Sequence, residues 1–462
     1  MSIYETLSPY IFKLDAEKAH NIAEWALRHI IPLPFVQDLA AGQYCVVDEA
    51  LHTEVAGMRF YNPVGLAAGF DKNATMIKGL SALGFGFLEI GTITQAPQEG
   101  NPKPRLFRHI EEKSLQNAMG FNNQGSQTII KRLSKLYPYS IPLGINVGKN
   151  KIIAQSDSLK NYENVLLESL SVGDYFVFNL SSPNTPHLRD LQNVHFVKEL
   201  FSMARSHTQK PLFLKISPDM DRDEMLKVVE MSIDSGVNGI IATNTTIDYS
   251  VLANPQESGG ISGEALRDKS KEVLKILSEA FFTRTILISV GGIDSAQEAY
   301  ERIKLGASLV QILSGLIFKG PSLCRQINEG LLELLKIDGF AHISQAIGQG
   351  IHTKHATKTS AIKTSRAGKK TNTDSITITT NALKSTKKNT QTFKTPSTTE
   401  SSPKSTSQKS RQSKKSINAK SSAKNIESAN TESTPKAPTK ASKKSVTSTK
   451  QSPNIEQNTE KE

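Results

Sequence analysis

Residues 175–186 read YFVFNLSSPNTP, an apolar run that passes directly into serines and asparagines with no charged residue between them. Aromatic and β-branched residues in an unbroken run are typical of a short strand buried on both faces. The polar residues then lie at the carboxyl end of that strand. No histidine, cysteine or carboxylate lies within the polar segment, so chemistry there must rely on hydroxyl and amide groups.

The same pattern recurs along the chain: an apolar run, a turn with polar residues or glycine, and then a segment with helical spacing. The other seven runs are PVGLAAG (63–69), GFLEIGT (86–92), PLGINVG (142–148), PLFLKIS (211–217), NGIIATN (238–244), TILISVGG (285–292) and SLVQILSG (308–315). Short apolar strands that alternate with helices predict a parallel sheet covered by helices. Eight units in roughly 260 residues predict a closed (β/α)8 barrel, or TIM barrel. An open doubly wound sheet is the alternative.

Polar residues or glycines follow every one of the eight runs. In a barrel all eight carboxyl ends meet at one rim, and that rim carries the active site. The rim offers two lysines, Lys72 and Lys215, and no group of His, Asp and Glu at metal-ligand spacing. We therefore expect a polar site without a metal.

Glycines mark the part of the rim where such barrels bind phosphate. A glycine pair at 291–292 follows the seventh run, and Ser314 with Gly315 ends the eighth. Bare backbone N–H groups can approach an anion closely at such positions, which predicts a phosphorylated ligand or cofactor. The alternative is that these glycines only permit tight turns.

The composition changes sharply near residue 351. Residues 351–462, called the tail below, are rich in Ser, Thr, Lys, Asn and Gln and carry 23 of the 56 basic and 7 of the 44 acidic residues. Residues 1–350 are therefore mildly acidic, and the net charge of +12 describes the tail. Because the tail cannot bury enough apolar surface to offset chain entropy, we expect it to be disordered.

Two cysteines, Cys45 and Cys324, are too few for a disulfide framework or a cysteine-based zinc site, which indicates a reducing compartment. The first twenty residues carry Glu5, Asp15 and Glu17 where a secretory signal needs an unbroken apolar segment. No run of about 18 apolar residues occurs, so we expect neither an export signal nor a membrane-spanning helix.

Ten segments of the chain carry a family pattern. They are GLAAGFDKN (65–73), LEIGTIT (88–94), NPKPRLFR (101–108), NAMGFNN (117–123), GINVGKN (144–150), NLSSPNTP (179–186), IATNTT (241–246), GGISG (259–263), VGGIDS (290–295) and GASLVQILSGLIFKGP (306–321). In this order they resemble dihydroorotate dehydrogenase of the quinone-dependent, membrane-associated class, from about residue 3 to residue 336. The resemblance implies a flavoprotein oxidoreductase with one FMN per chain. Such an enzyme converts (S)-dihydroorotate to orotate in de novo pyrimidine (UMP) biosynthesis and passes the electrons to ubiquinone or menaquinone.

The resemblance also implies roles for residues of the rim. Ser182 is then the base that removes the C5 proton of dihydroorotate while a hydride leaves C6, and it must pass that proton to water or to a hydroxyl such as Thr185. The implied substrate contacts are Lys72, Asn117, Ala118, Met119, Gly120, Phe121, Asn179, Asn184, Asn244 and Thr245. The implied flavin contacts are Ala68, Gly69, Phe70, Asp71, Lys72, Thr92, Asn146, Asn179, Lys215, Thr243, Gly263, Gly292, Leu313 and Ser314. Lys215 is expected near N1 and O2 of the flavin.

Residues 4–30 predict two amphipathic helices with a break near residues 13–16. Their apolar residues include Ile3, Leu7, Tyr10, Ile11, Ile22, Trp25, Ala26, Ile30 and Ile31. This extension, and a serine where soluble relatives use a cysteine base, place the resemblance in the quinone class. We expect a membrane-surface tunnel for the quinone, with the alternative that the two helices simply pack on the barrel.

The resemblance implies a monomeric peripheral membrane protein on the cytoplasmic face of the inner (cell) membrane. His20 and Arg108 match the residues of the family at the quinone end. Leu313 departs from the pattern, because the family commonly has a tyrosine there, near both flavin and quinone. A phenol group is therefore absent from the expected quinone end.

We expect three regions: an N-terminal helical region (1–45), an FMN-binding barrel (46–340) and the tail (351–462). The tail has three possible roles: a solubilising extension, a polybasic contact with anionic lipid, or nucleic-acid binding. A flavin-dependent tRNA-dihydrouridine synthase-like barrel with the tail as RNA anchor is the alternative function, although those enzymes use a cysteine acid in the fourth-strand region that this chain lacks. Lys149 and Lys151 are expected on a solvated loop.

Overall fold

The computed structural model describes residues 3–351, so the tail from residue 352 onward lies outside the described residues. The strands of the described part are β1 (Thr53–Val55), β2 (Met58–Phe60), β3 (Val64–Leu66), β4 (Phe87–Ile93), β5 (Leu106–His109), β6 (Ser114–Asn117), β7 (Leu143–Val147), β8 (Tyr175–Asn179), β9 (Leu212–Ile216), β10 (Gly239–Ala242), β11 (Gly260–Gly263), β12 (Ile286–Val290) and β13 (Leu309–Ile312).

Its α-helices are α1 (Ile3–Ile11), α2 (Ala16–His29), α3 (Pro34–Tyr44), α4 (Ile77–Ser81), α5 (Ser126–Leu133), α6 (Ser158–Ser169), α7 (Val194–His207), α8 (Arg222–Asp234), α9 (Arg267–Phe281), α10 (Ala296–Lys304), α11 (Ser314–Lys319), α12 (Leu323–Asp338) and α13 (Ile343–Ala346). Most of the barrel strands are thus followed by a helix, as the alternating pattern of the sequence predicted.

The eight apolar runs form one closed barrel of parallel strands, in the order β3, β4, β7, β8, β9, β10, β12 and β13, with β13 pairing back to β3. The predicted (β/α)8 barrel is confirmed, and the open sheet is excluded because the barrel closes on itself. Strands β7, β8 and β9 are buried along their whole length, as their unbroken apolar runs predicted.

Two apolar layers stabilise the barrel. Inside it, Tyr175, Val177 and Phe213 pack with side chains from the opposite strands, and the rings of Tyr175 and Phe213 meet edge-on at 5.5 Å. Outside it, a larger cluster fills the space between strands and helices, with Leu200 and Phe201 of α7 among its members. Each fully buried side chain of this size contributes about 1.5–3 kcal/mol of transfer free energy.

Two smaller sheets cover the ends of the barrel. The antiparallel hairpin β1–β2 precedes the first barrel strand, and its Phe60 packs edge-on against Phe87 at 5.4 Å, which closes the amino-terminal end. At the carboxyl end, β5, β6 and β11 form an antiparallel sheet assembled from two separate excursions of the chain. That second sheet supplies one wall of the cavity described below.

The two predicted N-terminal helices are present, and their break falls at residues 12–15, where the Asp15 side chain accepts from the backbone N–H of Lys18 at 2.9 Å. Helix α1 packs on α11, because Tyr4 donates its hydroxyl to the carbonyl of Ile317 at 2.5 Å. Helix α3 was not predicted, although the proline at its first position is a usual helix-start signal.

Three further expectations can be compared with the structure. Lys149 is only 3% exposed and donates to the carbonyl of Ile153 at 2.6 Å, so the solvated-loop prediction is wrong for Lys149, whereas Lys151 is exposed as expected. Cys45 and Cys324 are both free. Among the described residues, no helix combines the length and apolar character that a membrane span requires.

Candidate active site

A cavity of about 1320 Å³, including its open mouth, lies at the carboxyl ends of the barrel strands. Most of the predicted site residues line it: His20, Ala68, Gly69, Phe70, Lys72, Thr92, Asn117, Met119, Gly120, Phe121, Asn179, Ser182, Asn184, Lys215, Thr243, Asn244, Thr245, Gly263, Gly292, Leu313 and Ser314.

Four predicted residues are not part of the cavity lining. Asp71 is buried and accepts from the backbone N–H of Met76 at 2.8 Å and of Thr75 at 3.0 Å, so it shapes the loop that carries Lys72. Arg108 donates to the carbonyls of Phe12 and Leu14, at the break between α1 and α2.

The other two lie directly behind the lining. The backbone N–H of Ala118 donates to the carbonyl of Arg105 at 2.8 Å, which holds the strand end beside Asn117. Asn146 lies within the barrel, where its Nδ2 donates to Glu89 at 2.7 Å and its Oδ1 accepts from Asn179 at 3.2 Å. Both therefore orient lining residues rather than face the cavity.

Asparagine side chains bond to one another in two groups in the cavity wall. Asn244 donates to the hydroxyl of Ser181 at 2.9 Å and to Asn179 at 3.2 Å, and Asn184 donates to Asn117 at 3.1 Å. These bonds join the ends of β6, β8 and β10. Because each amide is oriented by another, their remaining donors and acceptors are pre-arranged for a planar ligand with an imide edge.

Ser182 lies in this wall and is 6% exposed. Its hydroxyl oxygen accepts from the backbone N–H of Asn184 at 3.3 Å, and no histidine or carboxylate bonds to it among the described residues. The hydroxyl of Thr185, three positions further, is buried and has no partner within the described part of the chain. Thr185 is not part of the cavity lining.

Lys72 is one of two lysines that line the cavity. It is half-buried and donates to the carbonyl of Gly69 at 2.7 Å. Removal from water lowers its pKa from the ordinary 10.5 to about 8, against the opposing effect of the Glu17 carboxylate. Burial, together with the charge of Lys72, lowers the pKa of His20 to about 4, so this imidazole is neutral at neutral pH.

Lys215 is paired with a carboxylate that the sequence analysis did not single out. Its Nζ lies 4.0 Å from Glu89, which is fully buried and also accepts from Asn146 at 2.7 Å and from Gln311 at 2.6 Å. Burial lowers the pKa of Lys215, and Glu89 opposes that shift. A glutamate and a glutamine in the middle of apolar runs were the signals available in the sequence.

The glycine-rich part of the rim has a backbone conformation that lets N–H groups come close to a ligand. Gly263, Gly291 and Gly292 have φ of +102°, +124° and +72°, values that other residues rarely adopt. A Cβ on Gly292 would also lie 2.6 Å from the Cα of Arg267. Beside them, the hydroxyls of Ser262 and Ser314 are 2.9 Å apart. Positive φ is also what a tight turn requires, so the turn-only interpretation stays open, but these residues converge on one cavity where their N–H groups could hold a phosphate.

Sequence reasoning missed several lining residues. Glu17 reaches the cavity from α2 and is paired with Arg105 at 2.9 Å and with Lys103 at 3.1 Å. The other missed residues are Ala67, Leu106, Leu115, Ser262, Leu266, Val290, Ile293, Gln311, Ile312 and Ile317. Most are apolar, and apolar walls carry no distinct sequence signal.

The barrel and its rim cavity define a (β/α)8-barrel enzyme whose site lies at the carboxyl ends of the strands. The chain belongs to the dihydroorotate dehydrogenase family, because the family model described as Dihydroorotate dehydrogenase matches residues 50–335. Among the described residues, no group of three or more His, Cys, Asp and Glu side chains could hold a metal ion.

This chain aligns with nearly the whole length of its curated relatives. Dihydroorotate dehydrogenase (quinone) of Helicobacter acinonychis is 54% identical over 346 residues, which are 75% of this chain and 99% of the relative. The protein of the same name from Sulfurovum is 52% identical over 345 residues, covering 75% of this chain and 98% of the relative.

Two solved structures are similar in fold and sequence. DHODH of Eimeria tenella in complex with ferulenol has a TM-score of 0.66 and 31% identity, covering 74% of this chain and 98% of that one. Its ligand-free form has a TM-score of 0.65 and 32% identity, covering 72% of this chain and 99% of that one.

Proposed function

We propose that this chain oxidises (S)-dihydroorotate to orotate in pyrimidine biosynthesis, with FMN as hydride acceptor and a membrane quinone as final electron acceptor. One observation carries the proposal beyond family membership. A buried serine hydroxyl, paired amide side chains and a group of rim glycines face one cavity at the carboxyl ends of the barrel strands. The relatives that were found do not favour the tRNA-dihydrouridine synthase alternative.

The residues at the closed side of the cavity would hold FMN, one per chain. Gly263, Gly292 and Ser314 would bind its phosphate, and Lys215, backed by Glu89, would lie near the polar edge of the ring system. When bound, FMN would supply the acceptor for the hydride that leaves C6 of dihydroorotate. Lys215 and the fully buried carboxylate of Glu89 form a pair of opposite charges. A ligand that gains electrons would add negative charge beside this pair.

Ser182 would remove the C5 proton. A serine hydroxyl cannot keep that proton, so the proton must pass onward, to a water or to a neighbouring hydroxyl such as the buried, unpartnered one of Thr185 in the same loop. The ring carbonyl next to C5 acidifies this proton, and the amides around the ring stabilise the charge that develops.

Lys72 and the asparagines would bind and orient the substrate. Lys72 is the cation for the substrate carboxylate, while Asn117, Asn179 and Asn244 match the donors and acceptors of the imide edge. Orientation of a planar ring against a buried hydroxyl supplies much of the rate enhancement.

The N-terminal helices would form the quinone entrance and the contact with the membrane surface. One face of α2 packs on the barrel and brings Glu17 and His20 to the cavity, while Trp25 on the other face is 58% exposed. Other exposed apolar side chains of this region are Leu7, Tyr10, Leu14, Ile22, Ile30, Leu33, Phe35 and Leu39. An apolar surface around the mouth of a cavity suits a lipid-soluble quinone.

Two residues at the proposed quinone end have defined contacts. Arg108 holds the break between the helices through backbone carbonyls, and its guanidinium lies 5.0 Å from the Phe12 ring centroid. Leu313 lines the cavity near Gly69. We propose a peripheral, monomeric protein on the cytoplasmic face of the inner membrane, with ubiquinone or menaquinone as co-substrate.

The test combines flavin content with product formation. Heat-released flavin should be FMN at one per chain, and dihydroorotate should be converted to orotate in the presence of a soluble quinone analogue. A folded preparation that lacks flavin, or one that forms no orotate with quinone present, would refute the proposal.

A further inference from the structure

The loop that carries Ser182 is held by a charged side chain outside the cavity. Arg189 donates its Nε–H to the carbonyl of Ser181 at 3.0 Å and one terminal N–H to the carbonyl of Thr245 at 2.9 Å. Ser181 directly precedes Ser182, and Thr245 lines the cavity, whereas Arg189 does not. One guanidinium therefore joins the loop after β8 to the loop after β10.

Asp219 orients this guanidinium from a third loop, the one after β9. Its carboxylate lies 2.9 Å from Arg189 and also accepts from Lys269 and Thr246, each at 2.5 Å, and from the backbone N–H of Ile247 at 3.0 Å. Burial alone would raise the pKa of Asp219, but these donors together hold it below the ordinary value. The carboxylate therefore stays ionised and remains hydrogen-bonded to the guanidinium.

The arrangement needs the geometry of arginine. Two backbone carbonyls and one carboxylate, contributed by three loops, are bonded by three different nitrogens of one planar group. A lysine ammonium is a point charge on a flexible stem and cannot match this fork. The carbonyls belong to the two loops that carry Ser182 and Thr245, so the guanidinium sets the spacing between them.

We propose that Arg189, oriented by Asp219, is a positioning residue that holds Ser182 at its working distance from the substrate contacts of the loop after β10. This inference rests on the proposed function, since it takes Ser182 as the group that removes the proton. Without Arg189 the reacting groups remain in the cavity but occupy a wider range of positions. The proton-removal step should then slow more than substrate binding weakens, because a displacement of about 1 Å can cost 10²-fold in rate.

The test is anaerobic stopped-flow reduction of the bound flavin by dihydroorotate. At saturating substrate, Arg189→Ala should reduce its flavin roughly 10- to 100-fold more slowly than the wild type. Reoxidation by a soluble quinone and flavin content should change much less, because the proposed phosphate contacts Gly263, Gly292 and Ser314 lie on other loops. Arg189→Lys should recover only part of the rate, and Asp219→Asn should slow reduction by less than Arg189→Ala.

Arg205 provides a matched control at the other end of the barrel. It donates to the carbonyls of Gly236 and Lys210 at 2.7 and 2.8 Å, near the amino ends of β10 and β9. Arg205→Ala should lower the melting temperature while its bound flavin is reduced at the wild-type rate. If Arg189→Ala does not retain flavin, the same comparison is made with Arg189→Lys and Asp219→Asn.

The outcomes separate the two proposals. A wild-type reduction rate in the Arg189 and Asp219 variants, or an equal loss in Arg205→Ala, would overturn the positioning role. A wild-type protein whose flavin dihydroorotate does not reduce would instead overturn the proposed function, and that measurement comes first.

Discussion

Orotate affinity should fall with rising pH because Lys72 loses its charge in the accessible range. Its pKa is lowered from 10.5 to about 8 by removal from water, so at pH 9 only about one tenth of the ligand-free protein carries the charge that the orotate carboxylate requires. The dissociation constant should therefore be nearly constant below about pH 7 and rise roughly tenfold per pH unit above pH 8. Lys72→Met should bind orotate weakly, without this dependence.

The assay is titration of the flavin-loaded protein with orotate, followed by the flavin difference spectrum between about pH 7 and pH 9. Ionisation of the orotate imide affects all variants alike, so the difference between wild type and Lys72→Met isolates the lysine. Lys149→Met is the matched control, because Lys149 is buried and, like Lys72, bonded to a backbone carbonyl, but it does not line the cavity. Wild-type affinity that stays constant to pH 9, or a decline that Lys72→Met reproduces, would refute the reasoning.

The same pKa predicts a stability effect of defined sign. A lysine whose pKa is lowered in the folded state reduces the free energy of unfolding at any pH where the lysine of the unfolded chain is protonated. For Lys72 this reduction is fully present below about pH 8 and disappears as the pH rises to 10.5. The full reduction is on the order of 3 kcal/mol, since the pKa is lowered from 10.5 to about 8 and one pKa unit corresponds to 1.36 kcal/mol. Lys72→Met should thus raise the melting temperature at neutral pH while it impairs binding, and a lower melting temperature would contradict the prediction.

Four further outcomes are expected. Ser182→Ala should keep flavin and orotate binding but slow flavin reduction by roughly 10²- to 10⁴-fold in stopped flow, whereas Ser182→Cys should retain some activity at higher pH. Gly292→Ala should be purified with little FMN, as judged by absorbance, because φ is +72° and the new Cβ would lie 2.6 Å from the Arg267 Cα. Trp25→Ser should reduce the fraction of protein that sediments with vesicles and leave turnover with a soluble quinone unchanged, because the indole is 58% exposed. Removal of residues 352–462 should also leave that turnover unchanged, and any effect of the tail on binding to anionic vesicles should diminish steeply with salt.

Much of the fold could be read from the sequence because it follows from local patterns. Each barrel strand is a short apolar run followed by polar residues, and this pattern needs only neighbouring residues to be recognised. The break between the first two helices, the polar rim and the glycine turns were found in the same way. Ser182, Lys72 and most of the asparagines were placed in the site by a resemblance of motifs, and the structure brings them to one cavity.

Which partners satisfy a buried polar group could not be predicted, because those partners lie far apart along the chain. Glu89 meets Gln311 across 222 positions, and Arg189 reaches Thr245 across 56. The same applies to Lys149. Its neighbours are lysines and asparagines, which predicted a solvated loop, but the fold buries this lysine and bonds it to a backbone carbonyl.

The sequence by itself therefore determined the alternating strands and helices, the polar residues at the strand ends and the residue types available there, because apolar periodicity and turn chemistry are local properties. The tertiary structure decided that the sheet closes into a barrel. Only the tertiary structure decided which of those residues face the cavity, which lysine has its pKa lowered to about 8, and which charges support the loop of Ser182. The physical reason is that burial and hydrogen-bond geometry depend on side chains brought together from distant strands. Their energies change by several kcal/mol with the presence or absence of one partner.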